Sequence, residues 1–208
     1  MLVVHHLNNS RSQRILWLLE ELNVPYDIKL YQRNPETQLA PPELKKINPL
    51  GKSPVVQDGD QLLIESGAII ETLVRKHGGG RLAPPVDTAA FDTYIQWLHF
   101  AEGSAMLPLM LNLYVGRLKE AGAPLHPRIE SEIDNHLSYL ESTLSKHDYL
   151  MGDELTAADI QMSFIGEIAD RFGKLDKYPG IAAWVKRFQA RLAYQAAVTK
   201  GGPYQYAK

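Results

Sequence analysis

The first third of the chain alternates short apolar runs with amphipathic helical patterns. Four extended segments are predicted where apolar residues cluster between turn residues, and they read MLVVHHL, YDIKLY, SPVVQD and QLLI. The clearest helical run is RILWLLEEL, whose apolar positions recur at the spacing of one helix face: Ile15, Leu18, Leu19 and Leu22. Asp58 and Gly59 form a hairpin signal between the last two extended segments, because both residue types tolerate a tight turn. The pattern predicts an α/β domain with a mixed four-stranded sheet that closes with two antiparallel strands.

Strand signals stop after His77. The stretch from His77 to Pro85, HGGGRLAPP, is rich in residues that end helices and stiffen connections. Beyond it the apolar residues recur at helical spacing, most clearly in two sets: Ile129, Ile133, Leu137, Leu140 and Leu144, and then Ile181, Trp184, Val185 and Phe188. We therefore predict an α/β domain over residues 1–80 and an all-helical domain over residues 86–208.

The composition excludes several kinds of catalytic site and of binding partner. The 208 residues include no cysteine, which excludes disulfides, zinc sites built on thiolates and any use of the protein's own sulfur as nucleophile. The formal net charge is -2 and there is no block of Lys or Arg, so we expect neither nucleic acid nor a membrane as partner. The N-terminus lacks the pattern of a secretory signal, which favours a cytoplasmic location.

The turn before the first helix is a candidate site. Ser10, with Gln13 three residues later, fits a capping box, in which the hydroxyl accepts from a free backbone N–H of the helix. The start of a helix also attracts anions, and a hydroxyl that caps a helix still has a proton to donate. Arg11 adds a positive charge beside this turn or is simply solvated. The residues alone leave Ser10 both roles.

Two further stretches offer backbone and polar groups to a ligand. Ser53-Pro54 is either a plain proline at a strand start or a cis bond that turns the Ser53 backbone toward an extended peptide ligand. Ser66 is a predicted N-cap, with Glu65 as partner of the helix dipole. The same pair also fits the head of an amino acid, because a helix start binds a carboxylate and Glu65 binds an ammonium.

These stretches together resemble the glutathione S-transferase family. NPLGKSP resembles the family's Asn-Pro-x-Gly-x-x-Pro signature before the cis-proline strand, and ESGAI resembles its Glu-Ser motif for the γ-glutamyl group. SRSQRILWLLEEL resembles the active-site turn and first helix of serine-type members, in a theta-like or related microbial branch. LTAADI resembles the capping box of the helical domain, and gives Thr156 and Asp159 a folding role. The resemblance covers essentially the whole chain and implies a thioredoxin-like domain followed by a helical bundle.

Carried over residue by residue, the resemblance makes Ser10 the hydroxyl that stabilises the thiolate of glutathione. The end of the first predicted strand has no tyrosine, unlike the tyrosine-type members, and the composition excludes the cysteine-type members. Ser12 stands where several serine-type members carry proline, so Ser12 and Asn9 stay open as alternative partners of the sulfur. Arg11 is a further neighbour of the thiolate.

The resemblance also implies contacts with each of the three units of glutathione, and it places Gln38 at the edge of the site. They are Lys52 with the glycyl carboxylate, Ser53 by backbone with the cysteinyl unit, Pro54 through its cis bond, and Glu65 and Ser66 with the γ-glutamyl end. No metal is expected: His5 and His6 are adjacent on a predicted strand, and neighbours on a strand point to opposite faces.

The resemblance implies a detoxifying transferase that uses glutathione as co-substrate and attacks a small hydrophobic electrophile. The electrophile is expected against the first long helix of the second domain, at residues that also suit a core or a subunit interface: Tyr94, Trp97, Met106, Met110 and Tyr114. A homodimer is expected by resemblance alone. Two alternatives stay open, namely glutathione-dependent reduction of organic hydroperoxides, and a non-catalytic ligand carrier or interaction protein of the same fold.

Overall fold

The computed structural model describes residues 1–208, which divide into two compact units. The first unit contains Met1–Ala83 together with Phe188–Lys208, and the second contains Pro84–Arg187. The strands are β1 (Leu2–Leu7), β2 (Tyr26–Tyr31), β3 (Val55–Asp58) and β4 (Gln61–Ile64). The helices are α1 (Gln13–Leu22), α2 (Pro42–Ile47), α3 (Ser66–His77), α4 (Ala89–Phe100), α5 (Met106–Gly116), α6 (His126–Leu144), α7 (Ala157–Arg171), α8 (Pro179–Gln189) and α9 (Leu192–Gly201).

The sheet of the first unit has the strand order β2-β1-β3-β4. β1 pairs parallel to β2, while β1 with β3 and β3 with β4 are antiparallel. Gly59, at φ +60°, lies in the turn between β3 and β4, so the predicted hairpin is confirmed. This is the predicted thioredoxin-like arrangement of a mixed four-stranded sheet with helices, and it is confirmed in the first unit.

The C-terminal residues differ from the predicted division of the chain. We expected residues 86–208 to form the helical domain, but Phe188–Lys208 belong to the α/β unit. Helix α9 lies along α1, where the ring of Trp17 stacks on Phe188 at 5.2 Å and meets the edge of Tyr194 at 5.5 Å between centroids. Burial of these aromatic rings holds the C-terminal segment against the sheet domain.

Ion pairs reinforce this packing. Arg191 binds both carboxylate oxygens of Glu21, with nitrogen–oxygen distances of 2.6 and 2.9 Å, and Lys200 contacts Glu20 at 2.6 Å. Glu21 also accepts from the indole N–H of Trp17 at 2.9 Å. The two-point Arg191–Glu21 contact fixes orientation as well as distance.

The second unit is all helical, as predicted. Between α4 and α5 the chain makes a π-helical turn over Ala101–Ala105, where the N–H of Met106 bonds the carbonyl of Ala101 five residues earlier. The predicted capping box at the start of α7 is confirmed: the Asp159 carboxylate accepts from the N–H of Thr156 at 2.9 Å and from its hydroxyl at 3.1 Å. None of the helices combines the length and apolarity needed to cross a membrane.

Candidate active site

The turn between β1 and α1 carries Ser10. Helix α1 starts at Gln13 with Ser12 in the N-cap position, and the predicted capping box between Ser10 and Gln13 is wrong. The Ser10 hydroxyl oxygen instead accepts from the N–H of Ser12 at 3.2 Å, and the buried side-chain amide of Gln13 has no hydrogen-bond partner. Asn9 holds a positive φ of 50°, which lets the chain turn sharply after the strand.

Three buried side chains form a hydrogen-bonded chain inward from this turn. The Ser10 and Ser12 hydroxyl oxygens lie 2.8 Å apart, and the Ser12 oxygen lies 2.9 Å from Nδ1 of His6 and 3.3 Å from the carbonyl of Leu7. Burial lowers the pKa of His6 to about 4, although a bond to the Gly201 backbone opposes that shift. His6 is therefore neutral near pH 7.

The tautomer of the neutral His6 ring determines whether the Ser10 or the Ser12 hydroxyl can donate a hydrogen bond to a ligand. The Gly201 backbone favours a proton on the ring, and Nε2 is the ring nitrogen next to Gly201, so we infer that Nε2 carries the hydrogen of the neutral ring. Nδ1 of the neutral ring is then an acceptor, and the Ser12 hydroxyl donates to it or to Leu7. The Ser12 proton thus stays inside the protein, whereas the Ser10 proton is bound by no partner other than Ser12.

The second predicted segment lies beside the same strand. The Ser53-Pro54 bond is cis, so the cis geometry is confirmed, while the contact of Ser53 with a peptide ligand stays a prediction. The Ser53 hydroxyl donates to the carbonyl of His5 at 2.9 Å and accepts from the N–H of Leu7 at 3.3 Å. Its side chain is thus bound to β1, close to the turn that bears Ser10. Lys52 is exposed beside it.

Arg33 links the loop of Gln38 to the Ser10 turn. Its guanidinium donates to the carbonyls of Asn8 at 3.1 Å, Asn9 at 3.3 Å and Gln38 at 2.9 Å. Gln38 is exposed, and its side-chain amide donates to the carbonyl of Pro35 at 2.8 Å. Sequence reasoning missed Arg33, because three bonds to backbone carbonyls leave no side-chain pattern to read.

The third segment is the start of α3. The helix begins at Ser66, with Glu65 in the N-cap position at φ 67° and ψ 117°, so the prediction of Ser66 as the cap is wrong. A positive φ is costly for a residue with a side chain and is typical of ligand sites. Glu65 is exposed, while Ser66 is buried and accepts a hydrogen bond from Nη1 of Arg14 at 3.2 Å.

The residues predicted to hold the electrophile occupy different environments in the second unit. Tyr94 and Met106 lie in its core, which contradicts a place in an open pocket wall, because they are only 1% and 2% exposed. Trp97 is buried but lines a cavity of about 370 Å³ between α4 and α6, together with Thr93, Gln96, Phe100, Asn135, His136 and Tyr139. Met110 is half-buried and Tyr114 is exposed.

An exposed apolar line surrounds Tyr114 along and just beyond α5. Its members recur at helical spacing and are 40% to 58% exposed: Leu107, Leu111, Tyr114 and Leu118. Sequence reasoning missed the three leucines, because apolar spacing alone does not tell a buried face from an exposed one. An exposed apolar patch of this kind is a candidate interaction or ligand-binding surface.

The C-terminal segment contacts the Ser10 turn from two sides. The side-chain oxygen of Asn9 accepts from the N–H of Gln205 at 2.9 Å. A Cβ on Gly201 would lie 3.1 Å from Oε1 of Gln13, 3.2 Å from Nε2 of His6 and 2.9 Å from Cδ1 of Leu16. Glycine therefore allows α9 to approach the base of the turn, and no local sequence pattern indicates this contact.

His5 and His6 bond to different groups. Nδ1 of His5 lies 2.8 Å from the hydroxyl of Tyr31, whereas His6 faces Ser12. The structure contains no group of three or more His, Asp or Glu side chains arranged to hold a metal ion.

The fold and this site together define a two-domain protein with a thioredoxin-like domain that carries a hydroxyl-bearing turn, followed by a helical unit. The family model for the glutathione S-transferase N-terminal domain matches residues 1–75, and the model for the C-terminal domain matches residues 97–191. The chain belongs to the glutathione S-transferase family, and its enzyme class is that of a glutathione transferase.

Relatives and solved structures agree with this assignment. The chain is 39% identical over 215 residues to glutathione S-transferase 3 of Schizosaccharomyces pombe, covering 96% of this chain and 88% of that protein. It is 32% identical to glutathione S-transferase 1 of Saccharomyces cerevisiae, with 95% and 94% covered. A glutathione S-transferase structure from Actinobacillus pleuropneumoniae aligns with a TM-score of 0.89 and 31% identity, covering 100% and 96%. A family member from Pseudomonas fluorescens with two glutathione bound aligns with a TM-score of 0.78 and 29% identity, covering 94% and 91%.

Proposed function

We propose that this protein activates the thiol of glutathione at Ser10 and transfers the sulfur to hydrophobic electrophiles. The observation that carries the proposal is the direction of the hydrogen bonds in the turn. The Ser12 proton is held by His6 or Leu7, so Ser10 is the hydroxyl that can turn its proton toward a ligand. Its place after the first strand of a glutathione S-transferase domain supports the same role.

The activation needs a moderate free energy. A free thiol has a pKa near 8.5, so only a few per cent is thiolate at pH 7. Lowering that pKa by about two units requires about 2.7 kcal/mol of preferential binding of the anion. A hydrogen bond to a charged group contributes about 1.5 to 3 kcal/mol, which is the required order of magnitude. Arg11, half-buried beside Ser10, adds a positive charge near the same position.

The rest of glutathione fits the other two segments. We place the glycyl carboxylate at the exposed Lys52, the cysteinyl backbone along Ser53 before the cis Pro54, and the γ-glutamyl group at Glu65 and Ser66. The unusual backbone of Glu65 presents its carboxylate to solvent at the start of α3, where an ammonium can reach it. Gln38 stays a candidate at the edge of this site.

For the electrophile we propose the exposed apolar line around Tyr114, joined by Met110. Its leucines and the flexible thioether suit apolar substrates of varied shape, which is a role compatible with detoxification. Ser10 and the absence of tyrosine at the end of β1 support the serine-type branch. A homodimer and a cytoplasmic location are further proposals, and they rest on family resemblance.

The test is a panel of electrophiles and organic hydroperoxides assayed with glutathione. Wild-type protein and the control Ser131→Ala, an exposed serine on α6, are expected to conjugate a model aryl halide equally well. Ser10→Ala is expected to lose about tenfold or more of the rate at neutral pH, because one charge-assisted hydrogen bond is removed. Conjugation by Ser10→Ala at the wild-type rate would refute the assignment. Turnover of hydroperoxides alone would favour the reductase, and activity toward neither class would favour the non-catalytic carrier or interaction protein.

A further inference from the structure

Arg33 holds the backbone of the turn that carries Ser10. Its guanidinium donates to the carbonyls of Asn8 and Asn9, at 3.1 and 3.3 Å, and its own N–H donates to the side-chain oxygen of Asn8 at 2.8 Å. Arg33 comes two residues after the end of β2, and Asn8 directly follows β1, so the pairing of these two strands places the arginine beside the turn. A rigid, planar guanidinium that binds two successive carbonyls fixes the direction of both peptide units.

The Asn9 carbonyl determines where the N–H of Ser10 points, because the two groups belong to one peptide unit. That unit is trans, and a trans unit directs its carbonyl and its N–H in opposite directions. With the carbonyl turned toward Arg33, the N–H of Ser10 points away from Arg33. The carbonyl of Ser10 accepts from the N–H of Gln13 at 3.1 Å, so the backbone is fixed on both sides of Ser10.

The N–H of Ser10 is a buried donor without a partner in the chain. Ser10 is 5% exposed, and neither a backbone nor a side-chain oxygen of the protein accepts from its N–H. Nearly all buried backbone N–H groups in proteins are hydrogen-bonded, so an exception at a candidate site points to a ligand acceptor. The N–H belongs to the same residue as the hydroxyl that we assign to the sulfur of glutathione, and it is available to the same anion.

We propose that Arg33 is a positioning residue that directs the N–H of Ser10 toward the thiolate of glutathione, as a second donor beside the Ser10 hydroxyl. The inference rests on the proposed glutathione site. A backbone N–H that is fixed before an anion arrives stabilises the anion without having to reorient, as in the oxyanion holes of other enzymes. The thiolate then depends on two donors of one residue, and a change of the Ser10 side chain removes only one of them.

The pKa of the bound thiol separates this role from a purely structural one. It is measured from the ultraviolet absorbance of the thiolate in complexes of glutathione with full-length wild type, Arg33→Met, Arg33→Lys, Ser10→Ala and the double variant Ser10→Ala/Arg33→Met. The matched control is Arg81→Met. The Arg81 guanidinium also binds three backbone carbonyls, at 2.9 to 3.4 Å, but these belong to the C-terminal ends of α1 and α3, away from Ser10.

Arg33→Met is expected to raise the pKa of the bound thiol by about half a unit to one unit, because the N–H of Ser10 is no longer held toward the sulfur. Arg33→Lys keeps the charge without the rigid fork of donors and is expected to show most of the same rise. The double variant is expected to have a higher thiol pKa than Ser10→Ala, since alanine keeps the N–H that Arg33 directs. Arg81→Met should lose stability toward denaturant, as Arg33→Met does, and leave the thiol pKa at the wild-type value.

A wild-type thiol pKa in Arg33→Met, or an equal rise in Arg81→Met, would overturn the inference. Full rescue by Arg33→Lys would also overturn it, because only the charge would then matter, and a double variant equal to Ser10→Ala would mean that Arg33 acts through the hydroxyl alone. If Arg33→Met does not fold, Arg33→Lys decides: a raised thiol pKa supports the inference and an unchanged one refutes it.

The wild-type protein separates this inference from the proposed function. Wild-type protein that lowers the pKa of bound glutathione but conjugates nothing would refute the proposed transferase, while the comparison of Arg33 and Arg81 variants still decides on Arg33. Wild-type protein that does not bind glutathione, or binds it without lowering the thiol pKa, would refute both.

Discussion

Replacing Ser10 and Ser12 separately by alanine should change two different quantities: the pKa of the bound thiol in Ser10→Ala and the stability of the protein in Ser12→Ala. Ser10→Ala removes the hydroxyl that we assign to the thiolate. At about 1.5 to 3 kcal/mol for a bond to a charged group, the pKa of bound glutathione should rise by about one to two units. Most of the activation calculated for this site would then be lost at neutral pH.

Ser12→Ala should do the reverse. Its hydroxyl lies 2.9 Å from Nδ1 of His6 and is completely buried, so its loss leaves a buried acceptor without its donor. Such a group costs about 1 to 3 kcal/mol of unfolding free energy. Because we assign the Ser12 proton to His6 or Leu7, and not to the ligand, the pKa of the bound thiol should shift by less than about half a unit.

The two quantities are measured independently. The ultraviolet absorbance of the thiolate, titrated against pH in the complex with glutathione, gives the thiol pKa, and denaturant unfolding without ligand gives the stability. Asn9→Ala is the third variant, since Asn9 was the remaining alternative partner of the sulfur. A thiol pKa that rises in Ser12→Ala or Asn9→Ala and stays constant in Ser10→Ala would refute the hydrogen-bond directions inferred here.

Two further substitutions test the helical unit and the C-terminal segment. Burial raises the pKa of Asp159 from 3.8 to about 6, so the folded state binds the proton of this carboxyl more tightly than the unfolded state does. The contribution of Asp159 to the free energy of unfolding therefore falls as the pH rises from about 4 to 6, by about 3 kcal/mol at most. Asp159→Asn should remove this pH dependence and lower stability at pH 7, while the exposed Asp153→Asn changes neither; an unaltered profile would contradict the assignment. Gly201→Ala should lower stability by about 1 to 3 kcal/mol, because its Cβ would lie 2.9 Å from Cδ1 of Leu16, and should reduce conjugation by displacing His6; Gly103→Ala, which meets no atom within 4 Å, is its control.

Features of the fold that depend on neighbours in sequence could be predicted, and those that depend on distant contacts could not. The four strands and the hairpin at Gly59 follow from local alternation and turn chemistry. The place of residues 188–208 depends on which helix covers α1. A helical pattern indicates that an apolar face exists, but it does not identify the face of another helix that buries it.

The helix caps show the same distinction. Thr156 and Asp159 form the predicted capping box because both halves of the box lie within four residues. At Ser10 and Ser66 the predicted caps are wrong, since each hydroxyl bonds elsewhere: Ser10 with Ser12, and Ser66 with Arg14. The Ser66–Arg14 contact joins different helices, so no pattern around Ser66 indicates it. Both exceptions lie at the candidate site, where we propose that the same groups bind a ligand.

The Ser10 turn, near the N-terminus, is held in part by contacts with residues near the C-terminus. The N–H of Gln205 donates to the side chain of Asn9, Gly201 lies beside Nε2 of His6, and Nδ1 of His6 is hydrogen-bonded to the Ser12 hydroxyl. A fragment that ended at Ala83 would retain every residue of the family's glutathione motifs but lose both of these contacts. Since the direction of the Ser12 proton depends on which nitrogen of His6 carries hydrogen, and Gly201 lies beside Nε2, we expect α9 to influence the proposed chemistry of Ser10 through His6.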